Sequence, residues 1–194
     1  MSRIMMTLAL VLTIAVPALA TEYRVKPGAP NKVVFVSKAA TETFEGKTDK
    51  IEGTLTFDPA SAVDSVAVQL AVDMKSLDTG IGKRNTHMQE NHLECDKYPH
   101  ATFKGASVIG PKGTVLAPGK TVTFECEGDF TLHGVTKRLR VNVDVTPKDE
   151  KTLAFKTAFQ VPLADYNISR PKFLFLKLGE VQEVTVEGVA VAAP

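Results

Sequence analysis

The sequence predicts an all-β fold of about eight antiparallel strands with one short helical insert, arranged as a closed barrel or a sandwich. Apolar and polar residues alternate with a period of two in segment after segment, as in strands that bury one face. Stretches rich in Gly and Pro separate several of these segments, which is typical of turns. Residues 78–103 interrupt the alternation with polar and charged residues and therefore predict the insert.

The first twenty residues have the features of an export signal. Arg3 precedes a short apolar run, and Ala18-Leu19-Ala20 has the A-x-A pattern of a cleavage site. We expect residues 1–20 to be a signal peptide, with an uncleaved anchor as the alternative, and residues 21–194 to be one domain in the periplasm or secreted. No later segment has the length and apolar character needed to cross about 30 Å of hydrocarbon, so the domain is not expected to span a membrane.

Charge and motifs limit the classes of function. Removing the leader removes one Arg and no acid, so 22 Lys and Arg balance 22 Asp and Glu. A neutral chain does not favour nucleic-acid binding, which needs a basic surface. The chain has no P-loop, dinucleotide fingerprint, G-x-S-x-G or HExxH motif. We therefore predict no enzyme activity, catalytic residues or cofactor.

The strands before the insert show the alternation most clearly. Residues 23–38 predict a first strand and residues 44–59 a second, more amphipathic one, followed by a turn at Asp58-Pro59. Residues 66–74 predict a third. Their predicted inward sets are Val33, Phe35 and Ser37; Ile51, Gly53, Leu55 and Phe57; and Val66, Val68, Leu70 and Val72.

The insert has the signals of a short helix. The hydroxyl of Thr79 could cap its first turn, and Ile81, Met88 and Leu93 could form a narrow apolar stripe. Tyr98-Pro99 then ends it, since a residue before proline avoids the α region.

Strand patterns resume after the insert. They cover residues 102–108, 121–132, 139–145, 153–161 and 184–190, with a tight reversal at residues 133–136. The predicted inward residues here include Phe103, Phe124, Cys126, Gly128, Phe130, Val141, Phe155, Thr157 and Phe159. Small residues beside Phe are compatible with a channel, but small and large residues also alternate in a filled barrel, and patterning alone favours the solid core.

The insert also holds the best candidates for metal chemistry. His87 and Glu90 would share a helix face, with His92, Glu94 and His100 nearby, and imidazole plus carboxylate suits a divalent ion. No three of these residues have an unambiguous ligand spacing. We therefore favour a solvated polar helix over a metal site, and a local hydrogen-bonding role for His133 in the turn.

Two further features leave alternatives open. Export permits a disulfide between Cys95 and Cys126, but the simplest hairpin register places Cys126 opposite Thr102, several residues from Cys95, so two separate thiols are favoured. Residues 166–178, YNISRPKFLFLKL, form either an apolar rim or dimer contact, or a strand buried on both sides. A monomer and a homodimer both remain open.

Four segments in this order carry a family resemblance. They are SLDTGIGKRNTHMQENHLECDKYPHATFKGASV from Ser76, GTLTFDP from Gly53, GDFTLHGVTKRLRV from Gly128, and the alternating C-terminal strand. The chain after its leader resembles the YceI-like family of secreted bacterial proteins. The resemblance implies an antiparallel eight-stranded lipocalin-like barrel that holds a long polyisoprenoid in an apolar channel. Many members have a different, often Trp-containing segment at residues 166–178, so contacts at that end do not transfer.

The sequence and the resemblance together predict a periplasmic protein that binds a polyisoprenoid or isoprenoid-quinone-type lipid. The predicted ligand-binding residues are Phe35, Gly53, Leu55, Phe57, Val68, Leu70, Phe103, Phe124, Cys126, Phe130, Val141, Phe155 and Phe159. The alternatives are a metal-dependent enzyme using His87, Glu90 and His92, and an interaction module with a solid core.

Overall fold

The computed structural model describes residues 20–38, 43–57, 66–110, 114–170, 172–173 and 176–194. Its strands are β1 Thr21–Val25, β2 Lys32–Lys38, β3 Thr43–Thr48, β4 Ile51–Phe57, β5 Ala67–Asp73, β6 His100–Ile109, β7 Val122–Leu132, β8 Val135–Pro147, β9 Thr152–Pro162, β10 Lys172–Phe173, β11 Leu176–Lys177 and β12 Val181–Ala192. Among these residues the α-helix is α1, Gly82–Asn91, and 3-10 turns lie at Met74–Ser76 and Leu163–Tyr166. The predicted leader, apart from Ala20, lies outside the described residues.

The sheet closes on itself as an antiparallel barrel. Its strand order is β1-β4-β5-β6-β7-β8-β9-β12-β2-β3, and β1 also pairs with β12. β1 and β2 both pair with β12, so residues 21–38 act as one interrupted strand. β4 pairs with β1 and β3 pairs with β2, so residues 43–57 act as a second interrupted strand. Eight strand positions therefore surround the interior, which confirms the predicted eight-stranded barrel with a helical insert. The two uninterrupted strands predicted for residues 23–38 and 44–59 are wrong.

Asn31 joins the two halves of the first interrupted strand. Its buried side-chain amide donates to the carbonyl of Lys26 at 2.6 Å, and its Oδ1 accepts from the backbone amide of Val189 at 2.9 Å. The side chain thus supplies a hydrogen bond to β12 where β1 has ended and β2 has not begun. The amide of half-buried Val189 would otherwise have no partner from this strand.

The N-terminus of the helix differs from the prediction that Thr79 caps it. α1 begins after Ile81, which caps it without a side-chain hydrogen bond. Thr79 does not cap the first turn: its amide and hydroxyl donate to Oδ1 of Asn85, and its hydroxyl accepts from Arg84. The predicted N-cap is therefore wrong, because a side chain inside the helix reaches back to Thr79 instead.

The helix also ends before Tyr98-Pro99. α1 stops at Asn91, where the amides of His92 and Leu93 both donate to the carbonyl of Met88. Met88 and Leu93 are half-buried, as the predicted stripe requires, but Ile81 is 52% exposed.

Two apolar clusters of buried side chains lie inside the barrel. One holds Tyr23 stacked on Phe57 with ring centroids 5.0 Å apart, together with Phe124, Phe155 and neighbouring aliphatic side chains. The other lies under the insert and includes Met74, Leu77 and Cys95. The insert therefore covers one end of the barrel, where β5, β7 and β9 finish.

Candidate functional site

A cavity of about 900 Å³ occupies the interior of the barrel. Inward side chains of β2 to β9 and β12 line it, and α1 and the segment around Ile168 and Leu178 complete its wall. This volume lies at the upper end of the range of roughly 300–1,000 Å³ for ligand pockets. The interior is therefore not the solid core that patterning alone favoured.

Most of the predicted ligand-binding residues line this cavity. They are Phe35, Leu55, Phe57, Val68, Leu70, Phe103, Phe124, Cys126, Phe130, Val141, Phe155 and Phe159. Period-two alternation predicted this placement because each strand presents every second side chain to the same face. Whether a ligand contacts them stays a prediction.

Gly53 does not lie on the cavity wall. Its φ is +147°, and a Cβ at this position would collide with the carbonyl oxygen of Gln69 on β5. Close approach of two backbones therefore requires glycine at this position, which was predicted to be a ligand-binding residue.

Three Phe rings lie flat against the wall instead of filling the centre. Phe35 and Phe155 cover their cross-strand partners Gly46 and Gly188, whose added Cβ atoms would overlap the rings. The ring of Phe103 lies near Gly128, where an added Cβ would be 2.7 Å from its Cζ and closer still to the backbone of Lys104 and Gly105. Each ring uses the space that a side chain on the neighbouring strand would occupy. This arrangement keeps the middle of the barrel open although it is rich in Phe.

Cys126 behaves as a small apolar side chain in this wall. It is buried, and burial raises the pKa of its thiol, so the neutral form is favoured. Its partner across the sheet is Val108, not Thr102 as predicted, and the β6–β7 register shifts by a bulge between Gly105 and Ser107. Cys95 lies in the cluster under the insert, and both thiols are free.

The polar part of the wall is concentrated where α1 covers the barrel. Lys83, Arg84, His87 and His92 line the cavity from the insert, and Ser37 and Gln182 line it from β2 and β12. Away from this end the lining is apolar except for Thr102 and Thr157, and the hydroxyl of Thr157 donates to the carbonyl of Asn142. The cavity thus has a long apolar section and one polar end, which suits an amphiphile.

His92 lies half-buried in this polar end, whereas the sequence analysis predicted a solvated side chain. Its Nδ1 lies 3.0 Å from the carbonyl oxygen of Ser169, and its ring centroid is 4.9 Å from that of His87. Burial, and then the neighbouring His87, lower the pKa of His92. Sequence reasoning missed this placement because Ser169 belongs to a segment 77 residues away.

The described residues provide no group of three His, Cys, Asp or Glu side chains that could hold a metal ion. Glu90, the carboxylate suggested by helix spacing, does not line the cavity. No observation favours the metal-dependent alternative, whose ligand set would have needed Glu90 beside the two His rings.

His133 joins the insert to the β7–β8 hairpin. His133 and Gly134 have φ of +51° and +74°, as in a two-residue type I′ turn. The His133 ring contacts Tyr98 with a centroid distance of 4.7 Å, and its Nδ1 lies 3.0 Å from the carbonyl oxygen of Tyr166. These partners are distant in sequence, so the bonds made here tie three segments together and are not only local.

The segment of residues 166–178 contributes to the cavity at both of its described ends. Ile168 is buried and Leu178 lines the cavity, while Arg170 donates to the carbonyl of Leu178. The predicted alternatives for this segment, an apolar rim or dimer contact and a strand buried on both sides, depend on the side chains of residues 171–177, which lie outside the described part of the structure. Within the described part of the chain, no helix has both the length and the apolar character needed to cross a bilayer.

Comparison with known proteins agrees with this architecture. The model of the YceI-like domain matches residues 23–190. A UPF0312 protein of Vibrio cholerae serotype O1 is 33% identical over 141 residues, covering 71% of this chain and 69% of the relative.

Two solved structures share the fold. A polyisoprenoid binding domain from Saccharophagus degradans, implicated in plant cell wall breakdown, superposes with a TM-score of 0.72 at 18% identity over 88% of this chain and 98% of its own. BcnA of Burkholderia cenocepacia gives 0.70 at 22% identity over 84% and 98%.

Proposed function

Because this chain belongs to the YceI-like family, we propose that its barrel binds one long isoprenoid lipid with the tail inside the cavity. This class of ligand includes polyisoprenoids and isoprenoid quinones. The protein acts in this proposal as a carrier or a reservoir, and no step of chemistry on the lipid is required.

The apolar lining of the 900 Å³ cavity is the observation that carries the proposal. Burial of apolar surface contributes roughly 25 cal/mol per Å², before the costs of ordering the ligand. Water is a poor occupant of the apolar section because a buried water needs two to four polar partners. A long hydrocarbon needs none, so the tail gains from every part of the wall it contacts.

The relatives support the isoprenoid class. The Saccharophagus degradans structure that shares this fold is described as a polyisoprenoid binding domain.

We also propose that the protein works in the periplasm or outside the cell. The basis is the signal-peptide pattern of residues 1–20, with its A-x-A site at Ala18 to Ala20. A soluble lipid binder in that compartment would shield the tail from water between membranes.

Filling the cavity tests the proposal. Cys126→Phe adds a ring at a buried wall position, and Thr123→Phe adds the same ring on the exposed outer face of β7 as a control. We expect lipid extracted from purified Cys126→Phe protein and measured by mass spectrometry to fall severalfold relative to wild type, while the control retains it.

Unfolding of the lipid-free proteins distinguishes a channel from a packed core. Overpacking a well-filled core costs typically about 1–3 kcal/mol. A ring that enters open space should cost less, so a large loss of stability in Cys126→Phe, together with wild-type protein that yields no lipid, would refute the proposal.

A further inference from the structure

Ser37 places a buried polar atom without a partner on the cavity wall. Ser37 is 1% exposed and lines the cavity, and its hydroxyl has no hydrogen-bond partner among the described residues. A buried hydroxyl without a partner is destabilising, so such groups are usually satisfied. Because Ser37 lines the cavity, its hydroxyl can hydrogen-bond to an atom of a bound ligand.

A second unpartnered polar atom lies at the same end of the cavity. Nε2 of His92 is buried without a hydrogen bond, while Nδ1 of the same ring is held by Ser169. His92 lines the cavity as well. Two polar atoms that the protein leaves unsatisfied therefore belong to the wall of one cavity.

Strand register and the insert bring these groups to the same place. Ser37 is the cross-strand partner of Phe44, and both line the cavity, so both side chains are on the inner face. The guanidinium of Arg84 lies 4.0 Å from the centroid of the Phe44 ring. His87 follows Arg84 by three residues on α1, on the same side of the helix, and its ring contacts His92. Ser37 and His92 thus both belong to the part of the cavity wall that α1 covers.

The charge of this end has one sign. Lys83 and Arg84 line the cavity, and no Asp or Glu of the described residues does. Asp78, an acid that precedes α1, is occupied by the amide of Gly80 and the side chain of Asn85. Arg84 is fixed by bonds to Thr79, whereas the described residues give the Lys83 ammonium no ion-pair partner. A charged hydrogen bond is about twice as strong as a neutral one, so an acidic group gains most here.

We infer that the polar end beneath α1 is a subsite for an acidic headgroup, a phosphate or a carboxylate, of the lipid whose tail fills the barrel. Ser37 donates its hydroxyl to the headgroup, Lys83 reaches it from the exposed side of α1 as a cation, and His92 donates from Nε2 once the anion favours its protonated form. The inference rests on the proposed function, since a headgroup reaches this subsite only with a tail in the cavity.

Matched ligands separate the headgroup from the tail. We would titrate lipid-free full-length protein with geranylgeranyl monophosphate and with geranylgeraniol, which carry the same tail. A second pair, palmitate and 1-hexadecanol, distinguishes carboxylate from phosphate. We expect the phosphate to bind roughly tenfold to a hundredfold more tightly than its alcohol, the range for gaining one charged hydrogen bond.

Two substitutions locate the preference. Lys83→Gln removes a charge that only the acid uses, and should reduce the ratio of phosphate to alcohol affinity several-fold. Ser37→Ala removes a donor that both headgroups can use, and should weaken the phosphate more than the alcohol because a bond to a charged oxygen is stronger. Ser37→Ala removes an unpartnered hydroxyl and should leave the thermal midpoint unchanged or raised. Lys120→Gln, an exposed lysine before β7 and away from the cavity, removes the same charge and should retain the wild-type ratio.

The outcomes distinguish the two proposals. Tighter phosphate and tighter palmitate support an acidic subsite of either kind, and tighter phosphate alone supports a phosphate subsite. Equal affinity of acid and alcohol in wild type, or a preference that both variants retain, would overturn the headgroup subsite and leave lipid binding intact. Failure of all four ligands to bind would overturn both.

Discussion

At the scale of single residues, His92 shows how a cavity wall changes the chemistry of a side chain. The ring lies half-buried between His87 and Ser169, and burial lowers its pKa first, with His87 adding to the effect. The same imidazole on an exposed helix would titrate near 6.5. In the lipid-free barrel its neutral form is therefore favoured, although the hydrogen bond to the Ser169 carbonyl acts in the opposite direction.

This shift predicts a loss of stability in acid. A histidine whose pKa is lower in the folded state binds more protons when unfolded, so stability is complete above about 6.5 and falls as the pH drops through the folded pKa. We expect lipid-free wild-type protein to lose more stability between pH 7.5 and 5.5 than His92→Gln, measured by urea unfolding.

An exposed histidine provides the control for that measurement. His100 lies at the start of β6 on the surface, so His100→Gln should retain the wild-type response. If His92→Gln loses as much stability as wild type over this interval, the buried ring does not carry the effect.

At the scale of elements, pairs of Phe and Gly across neighbouring strands set the width of the cavity. Phe155 on β9 lies over Gly188 on β12, and Phe35 on β2 lies over Gly46 on β3. The glycine is needed because any Cβ would occupy the position of the ring. The strand pair therefore determines whether the ring lies along the wall or projects into the cavity.

Gly188→Ala should narrow the cavity and reduce lipid binding. The new methyl group would overlap the ring of Phe155, whose free side faces the cavity, so the ring moves inward. We expect lipid per protein, measured by mass spectrometry of extracts, to fall by at least about half. The cost in stability should stay below the roughly 1–3 kcal/mol of overpacking a solid core.

A glycine in open space provides the comparison. Gly82 at the start of α1 has no atom within 4 Å of an added Cβ. Gly82→Ala should retain the wild-type lipid content and stabilise the helix by up to about 1 kcal/mol. A Gly188→Ala protein with unchanged lipid content would show that Phe155 does not limit the cavity.

At the scale of the whole molecule, strand alternation predicted most of the cavity wall but left a barrel and a sandwich open, and the family resemblance favoured the barrel. The inward positions of Phe35, Phe103 and Phe155 follow from local alternation, which needs no knowledge of the neighbouring strand. The resemblance of four segments to the YceI-like family then favoured a channel over a solid core.

Features that depend on contacts between distant segments were not predictable in this way. Gly53 is dictated by the carbonyl of Gln69 on the next strand, and the burial of His92 by Ser169. The interruption after Val25 is marked by Gly and Pro in KPGAPN, but its repair by Asn31 requires the register with β12. Turn signals within residues 26–31 could have revealed the break, though not the bond that spans it.

The central claim is that the interior of this barrel is a lipid site, and native mass spectrometry of the wild-type protein tests it most directly. The folded protein, purified without detergent, should carry additional mass equal to one lipid, and that mass should be released on unfolding. The released molecule should be a long-chain amphiphile. A folded protein whose mass equals that of its mature chain, and which gains no mass after incubation with long isoprenoids, would contradict the claim.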